Sequence, residues 1–557
     1  MEELRQRDVM PNQPRRRAAA PKALAPRRTR YPGTDWKNRV GCDPTRPVAV
    51  RSGPVRRHRP MELNEAFAPL AVSRLTSSRR RYGKRMLKQH EVAADTLVGS
   101  AAYALASYAT ATQYETLPGE VADRAKLIVF DQLACGFVGA ELPAGRIIGR
   151  YVADMGGKPQ SVVLGSPDRS SAPLAALANG TSGHADEFDS VHATSDFLGT
   201  GHPAAIIVPA AAALAERQFC TGRDLVNAVT LGYDVGARVI SVTGGLAPMM
   251  GNHGIDPGSL HSLGAAFACA RLLGLDESRH LFAAALAVQQ SVALNAPYGE
   301  RRHMSKAFVT GQAAYAGVTG AVLAATGFEA SDNIFEAPGG IIDTWAEPGR
   351  EGQLAKDLGA DYAVMGANFK FYSAGYPIHS PVEAALGLKS EHGFELDDIE
   401  RITVRMPSHP ASVVDNRSMP TICLQHMVAA ALVAGNLGFD EAHSATLLND
   451  PKVLHLKSLV LLIRDAEFDR VQPQGRGAEV TIDFAGGSVS RRVEHPRGHR
   501  FRTPAPTWDD LRAKWEDLLV RRVGQSRFDQ FYHACASLES VDDVNEVSSL
   551  LAGGYVS

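Results

Sequence analysis

A dense group of ionisable side chains lies in the segment HADEFDSVHATSDFLGTGHP, residues 184–203. Within nine residues it places His184 and His192 beside Asp186, Glu187 and Asp189. These side chains can bind a metal ion, transfer protons next to a carbonyl group, or cap a helix in a solvated loop. No HExxH-type spacing accompanies them, so we predict no metal site. The capping loop and the proton-transfer site both stay open.

Three further polar groups stand where helices are predicted to begin. His202 precedes Pro203, Asp256 precedes Pro257, and Lys306 follows Ser305. Proline is favoured in the first turn of a helix, and the free N–H groups there attract carboxylate and phosphate.

Lys306 is a candidate general base, because a cation is disfavoured at the positive end of a helix and we expect a lowered pKa. Arg301, Arg302 and His303 lie beside it and could bind an anionic substrate. A solvated lysine on a frayed helix end is the alternative.

Lys370 lies among aromatic residues in FKFYSAGYPIH, and His379 closes the same segment just before a predicted helix. A lysine in such a cleft suits anion binding. Alternatively, its stem only covers apolar surface.

Apolar residues at three- and four-residue spacing predict the helices that position these groups. They include residues 203–217, 223–242, 257–273, 277–294 and 305–326. Alternation predicts a strand at 398–407, and two runs around Gly486-Gly487 predict a hairpin at 478–496. We therefore expect a mostly α fold, in which a helical domain (92–366) is interrupted by a smaller α+β lid (367–497) and C-terminal helices (498–557) pack back on it.

The first 90 residues differ in composition from the rest of the chain, because they contain 23 Lys and Arg but only 7 Asp and Glu. We expect residues 1–91 to form a disordered basic extension, or to precede a natural start at Met61 or Met86. A nucleic-acid-binding tail and an organellar presequence are alternatives. The six cysteines form no CxxC pair, and we expect no stretch that spans a membrane.

The order of the motifs resembles that of the MmgE/PrpD family. An H-x-x-[DE]-F-D loop is followed by GHP, GYDVGARV and GIDP, and then by MSKAFVTGQAA, FKFYSAGYPIH and HMVAAALVAG. The similarity covers about residues 92–530, almost the whole folded part.

The resemblance implies a homodimer of two-domain subunits that acts on small di- and tricarboxylates without a cofactor or metal. Proton transfer next to a carboxylate is the implied chemistry. By position, the family's functional residues correspond to Glu187, Asp189, His202, Lys306 and Lys370.

The sequence departs from the family pattern in four places. Val191 replaces a threonine, extra residues separate the acidic loop from His202, Asp256 stands in place of a histidine, and His426 stands in place of a tyrosine. His253 or His261 could replace the lost histidine. An acid at position 256 should weaken binding of a third carboxylate, so we expect a substrate other than 2-methylcitrate or cis-aconitate.

We predict a cytoplasmic lyase that removes a proton next to a carboxylate, with dehydration of a β-hydroxy acid as the first choice. Lys306 or His202 would be the base, and the other or Asp189 the acid. Lys370, Arg301, Arg302, Asp256, His379 and His426 would bind substrate. Epimerisation, decarboxylation and a non-catalytic carboxylate-binding role are alternatives.

Overall fold

The computed structural model describes residues 99–196, 198–296, 304–470 and 476–553. The predictions for residues 1–91 and for Arg301, Arg302 and His303 therefore lie outside the described residues.

The N-terminal half is built of Ala- and Gly-rich helices that pack closely. Its helices are α1 Ala101–Ala111, α2 Gly119–Gly139, α3 Pro143–Met155, α4 Ala172–Gly183, α5 Ala204–Gln218, α6 Gly222–Val242, α7 Leu246–Pro248, α8 His261–Leu272, α9 Glu277–Ser291, α10 Met304–Ala325 and α11 Ile341–Trp345. Each predicted helix is present to within a few residues, except that Pro257–Leu260 forms a separate 3₁₀ turn ahead of α8.

Glycine allows the close approach of α4 and α10. A Cβ atom at Gly311 would lie 2.1 Å from Oγ1 of Thr181 and 2.4 Å from the carbonyl oxygen of Leu177. Such distances exclude any larger side chain without a shift of the backbone. This contact matters for function, because α4 leads into the acidic loop and α10 carries Lys306.

Short strands occur in the same half. They are β1 Ser161–Val162, β2 Arg169–Ser170, β3 Val191–Ala193, β4 Gly199–Gly201, β5 Ile255–Asp256, β6 Ala293–Leu294 and β7 Ala367–Asn368. β3 is the central strand of a three-stranded antiparallel sheet in the order β4-β3-β7. The extra residues after the acidic loop thus form a hairpin that the sequence reading missed.

The following segment contains a second sheet, in the order β11-β10-β8-β9. Its strands are β8 Ile399–Met406, β9 Val460–Arg464, β10 Ala478–Phe484 and β11 Gly487–Val493, and its helices are α12 His379–His392, α13 Ser408–Val414, α14 Leu424–Ala434, α15 Phe439–His443, α16 Ala445–Leu448, α17 Pro451–Leu459 and α18 Ala466–Asp469. β8 and the β10–β11 hairpin were predicted, whereas β9, which pairs parallel to β8, was not. Buried apolar residues between Ala374 and Val493 form a hydrophobic cluster of their own.

The chain ends in α19 Trp508–Val523, α20 Gln525–Ala536 and α21 Val544–Ser549. Trp515 and Phe531 share a hydrophobic cluster with Phe130 of α2 and Val226 of α6. The prediction of a mostly helical fold is confirmed. The lid arrangement and the boundaries at 366 and 497 stay predictions.

Two helices, α6 and α10, are long and apolar enough to cross a membrane, contrary to the expectation from the sequence. Within the structure, 94% of the apolar window of α6 and 67% of that of α10 are buried. Their apolar character is therefore used largely for packing within this protein.

Candidate active site

The acidic loop begins where α4 ends and lies inside the protein. His184 follows Gly183 as the C-cap of α4, and Asp186, Glu187 and Asp189 are at most 2% exposed. The solvated capping loop considered for this segment is therefore wrong. Charged groups are buried in this way only when partners compensate them.

Glu187 has a left-handed backbone, with φ of 54°. This conformation costs a non-glycine residue about 1–3 kcal/mol and persists only when surrounding contacts hold it. Here contacts with Lys306 and Lys370 hold the backbone of Glu187 in place. Lys306 Nζ lies 2.7 Å from Oε1 of Glu187, and Lys370 Nζ lies 3.0 Å from Oε2 and 2.9 Å from the Glu187 carbonyl oxygen.

Asp189 lies between two imidazoles. His202 Nδ1 is 2.7 Å from its Oδ2, His184 Nδ1 is 3.0 Å from its Oδ1, and Lys370 Nζ is 3.8 Å from Oδ1. Burial alone would raise the pKa of Asp189, but His202, His184 and Lys370 together hold it well below its usual value. Asp189 is therefore an anion, and the prediction that it could act as the acid is not supported.

The two imidazoles differ in exposure. Burial, followed by the nearby Lys306, lowers the pKa of His184 to about 3, so this ring is neutral. The side chain of His202 is 17% exposed, and its ring centroid lies 4.2 Å from that of His184. With Nδ1–H donated to Asp189, Nε2 of His202 makes no hydrogen bond to a described residue and can accept or deliver a proton.

The two lysines of this arrangement differ in burial. Lys370 is fully buried, and although burial lowers its pKa, Glu187 and Asp189 raise it above the usual value. The side chain of Lys306 is 10% exposed, and its Nζ is engaged by Oε1 of Glu187 at 2.7 Å. From this position Lys306 can bind an anion that displaces Glu187, and its role as a base stays a prediction.

His184, Asp189 and His202 could hold a metal ion by geometry, because their ligand atoms all lie within 4.8 Å of one another. Two ammonium groups, however, belong to the same cluster. Lys370 is 3.8 Å from the carboxylate that a cation would need, and the charge of Lys306 acts on His184. This repulsion disfavours a metal ion here.

Asp256 lies beside the same cluster. Its side chain is 4% exposed and accepts a 2.9 Å hydrogen bond from the backbone N–H of Gly258. Burial raises the pKa of Asp256, and the charges of Lys306 and His202 only partly oppose this. Burial therefore makes Asp256 easier to protonate than an exposed aspartate.

His379 is buried next to Lys370. Burial and the charge of Lys370 lower the pKa of its imidazole to about 3, and Nδ1 has no partner among the described residues. Of the two replacements considered for the lost histidine, His261 is buried and bonds the carbonyl of Thr200, two residues before His202. His253 is exposed.

His426 and His192 lie in other surroundings. His426 Nε2 is 2.9 Å from the carbonyl oxygen of Leu448 and Nδ1 is 3.5 Å from Lys457 Nζ, so none of its described contacts reaches the acidic loop. The proposed role of His426 in binding substrate is not supported by this position. The ring of His192 bonds Oγ1 of Thr200 and lines a different cavity.

Sequence reasoning missed a support beneath the acidic loop. Lys514 of α19 is buried and donates to Asp131 at 2.7 Å and to the Phe188 carbonyl at 3.0 Å. Asp131 also accepts from Nε1 of Trp515 at 2.8 Å. Asp131 and Lys514 are 383 residues apart, so no local pattern could have paired them.

Comparison with known proteins matches two family domains along this chain. The MmgE/PrpD N-terminal domain matches residues 103–351, and the MmgE/PrpD C-terminal domain matches residues 372–539.

Curated relatives extend over most of the chain. A cis-aconitate decarboxylase-like protein of Aspergillus oryzae is 27% identical over 487 residues, covering 82% of this chain and 98% of that protein. The cis-aconitate decarboxylase of Aspergillus terreus is 27% identical, covering 78% and 93%. The human cis-aconitate decarboxylase is 24% identical, covering 78% and 91%. With both family domains matched in order, the chain belongs to the MmgE/PrpD family.

Proposed function

We propose that this protein is a lyase for small unsaturated di- or tricarboxylates, with decarboxylation as its reaction. The named relatives are decarboxylases, and this support moves decarboxylation ahead of the dehydration predicted from the sequence. The proposal depends on one observation, the buried cluster of ionisable side chains. In this cluster Asp189 orients His202, and Lys306 and Lys370 both contact Glu187.

The reaction needs a proton donor and cations. The substrate has its C=C bond at the β and γ carbons, counted from the carboxylate that is lost. The C–C bond to this carboxylate breaks, and CO₂ leaves. The released electron pair forms a new C=C bond, and the electrons of the old one take a proton at the far carbon. Negative charge that develops next to a second carboxylate is stabilised by nearby cations.

Lys306 and His202 are the residues that we assign to these tasks. Lys306 reaches Glu187 from the first turn of α10, where a substrate carboxylate would compete with Glu187 for its ammonium group. His202, held by Asp189, would deliver the proton through Nε2 and regain it from water. A neutral Asp256 would donate a hydrogen bond to a substrate carboxylate and would not repel it. The aspartate that replaces the family histidine is thus compatible with more than one carboxylate on the substrate.

Dehydration of a β-hydroxy acid and epimerisation are the competing reactions. Both begin with removal of a proton from carbon, for which His202 Nε2 would be the base. Epimerisation returns the proton to the opposite face. A homodimeric state and a cytoplasmic location remain predictions.

The test is to incubate the protein with cis-aconitate, citrate, 2-methylcitrate, malate and iminodisuccinate in deuterated water and to follow each by NMR. Decarboxylation would release CO₂ and place one deuterium at the far carbon. Loss of water, or exchange at an unchanged carbon skeleton, would instead identify a dehydratase or an epimerase.

The matched variants are Lys306→Ala and Lys452→Ala, the latter at a side chain that is 59% exposed. Only the first should abolish turnover. If no compound reacts but the panel raises the unfolding temperature of the wild type and not that of Lys306→Ala, the protein is a carboxylate-binding homologue and the enzymatic proposal is wrong.

A further inference from the structure

A cavity of about 530 Å³ lies beside the β4-β3-β7 sheet, and His192 and Ala193 of β3 line it. Its walls are formed by residues 192–196 of the hairpin, the 353–366 segment and part of the 500–505 segment, with Arg124 and Arg238 from α2 and α6. None of the residues in the cluster around Asp189 lines it. Its size is that of a pocket for a small molecule.

Two arginines of this cavity are held by main-chain oxygens. Arg238 Nη2 donates to the carbonyl of Asp361 at 3.0 Å, and its Nη1 donates to that of Lys356. Arg500 donates to the carbonyls of Ala193 and Thr194 at 3.0 and 2.8 Å. Carbonyl groups orient a guanidinium but do not cancel its charge, and the charges of Asp361 and Asp196 act on Arg500.

Arg124 has less support than either of them. Its Nη1 is buried and makes no hydrogen bond to any described residue, and its guanidinium carbon lies 5.6 Å from the ring centre of Phe369. Burial is the cause that lowers its pKa, with no carboxylate opposing it. Arg124 as a whole is partly exposed, and an anion that reached its Nη1 would accept a charge-assisted hydrogen bond.

The carboxylates of the cavity do not supply that anion. Asp196 pairs with Arg350 at 2.5 Å, and Asp361 accepts a 2.5 Å hydrogen bond from Ser195. Asp357 lies in a left-handed turn, with φ of 50°, and its carboxylate has no contact with Arg124 among the described residues.

We propose that this cavity binds a small organic anion with at least two carboxylate or phosphate groups, and that Arg124 is its principal charged contact. Part of the wall is the hairpin at 191–201, the extra segment by which this chain departs from the family pattern. The wall of the cavity therefore includes a segment that departs from the family pattern, and the cavity is separate from the cluster at Asp189.

The cavity is tied to the candidate active site through its sheet. β3 follows the acidic loop directly and pairs with β7, where Val191 is opposite Asn368, two residues before Lys370. A ligand that contacts His192 and Gly366 would hold both strands. We therefore expect bound anion to raise the unfolding temperature of the whole protein.

The test is calorimetric titration of the full-length protein with citrate and, separately, with inorganic pyrophosphate, which carries two phosphate groups. Each titration is repeated on Arg124→Gln, Lys356→Gln and Arg464→Gln. Arg464 lies exposed on β9 and serves as the matched control. Loss of the guanidinium should weaken binding about tenfold or more, and loss of the exposed Lys356 about threefold. Citrate binding without pyrophosphate binding would identify a carboxylate as the ligand type, and the reverse a phosphate.

Lys306→Ala separates this site from the candidate active site, because it should leave the Arg124-dependent binding intact even if the proposed reaction is wrong. Unfolding curves check that Arg124→Gln is folded. The proposal is overturned if Arg124→Gln binds both anions as Arg464→Gln does, or if the wild-type protein binds neither at millimolar concentration.

Discussion

Asp189 and Asp256 are buried carboxylates in one cluster, yet their surroundings shift their pKa values in opposite directions. Asp189 has two imidazoles within 3.0 Å and an ammonium group at 3.8 Å, and its pKa is lowered. Asp256 has one backbone N–H at 2.9 Å, and its pKa is raised. Burial always favours the neutral acid, so the number of direct cationic contacts determines which carboxylate stays charged.

The comparison assigns the two residues different tasks. An anionic Asp189 fixes the tautomer of His202 and stabilises its cation, as the aspartate does in a Ser-His-Asp triad. A neutral Asp256 offers an O–H group where a charged acid would repel a carboxylate substrate. Position in the same cluster is therefore a poor guide to role.

The largest expected effect comes from Asp189→Asn set against Asp256→Asn. The first change removes the anion that orients both imidazoles, and we expect turnover to fall by about three orders of magnitude. The second change preserves a neutral side chain of the same shape, and we expect less than a tenfold loss. Steady-state kinetics on the substrate found by NMR measures both, and equal losses would show that Asp256 is also charged.

Lys370→Met should have the next largest effect, on stability. Its removal leaves Glu187 with a single lysine in a strained, buried loop, and breaking a buried ion pair costs about 3–5 kcal/mol. Denaturant unfolding gives the change in free energy. Lys370→Met combined with Glu187→Gln should recover part of the loss, because the unpaired charge is then gone. A double variant no more stable than Lys370→Met would mean that the pairing with Glu187 is not the cause.

The fold was largely readable from the sequence, because helical periodicity is a local property. The helices that end at Gln218 and Val242, the start of α10 at Met304 and the β10–β11 hairpin were all predicted within a few residues. The hairpin at 191–201 and β9 were missed. The two strands of the hairpin are only three residues long. β9 is a short apolar run directly after α17.

The sequence predicted which residues belong to the candidate site, but it did not predict which of them contact one another. Residue types and motif order pointed to Glu187, Asp189, His202, Lys306 and Lys370, which the structure brings together. Charge states could not be read in this way. The contact of Lys306 with Glu187, which is 119 residues away along the chain, could not be predicted from its helix position. Lys514 and Arg124 likewise acquire their significance only from tertiary contacts.

The smallest effect concerns the pH dependence that Asp256 contributes. Because its folded-state pKa is raised above the unfolded value, its stabilising contribution is complete below that unfolded value and is lost as the pH rises through the folded value. Asp256→Asn keeps a neutral group at every pH. Its stability relative to the wild type should therefore increase from pH 4 to pH 7, by about 1.4 kcal/mol for each unit by which the pKa is raised.

Unfolding temperatures of the wild type, Asp256→Asn and Asp517→Asn across this range provide the measurement, since the side chain of Asp517 is 93% exposed and should show no such trend. A relative stability of Asp256→Asn that instead falls as the pH rises would mean that the charges of Lys306 and His202 outweigh burial at position 256. Asp256 would then be a second Asp189, and the substitution for the family histidine would repel the carboxylate that a neutral acid is expected to accept.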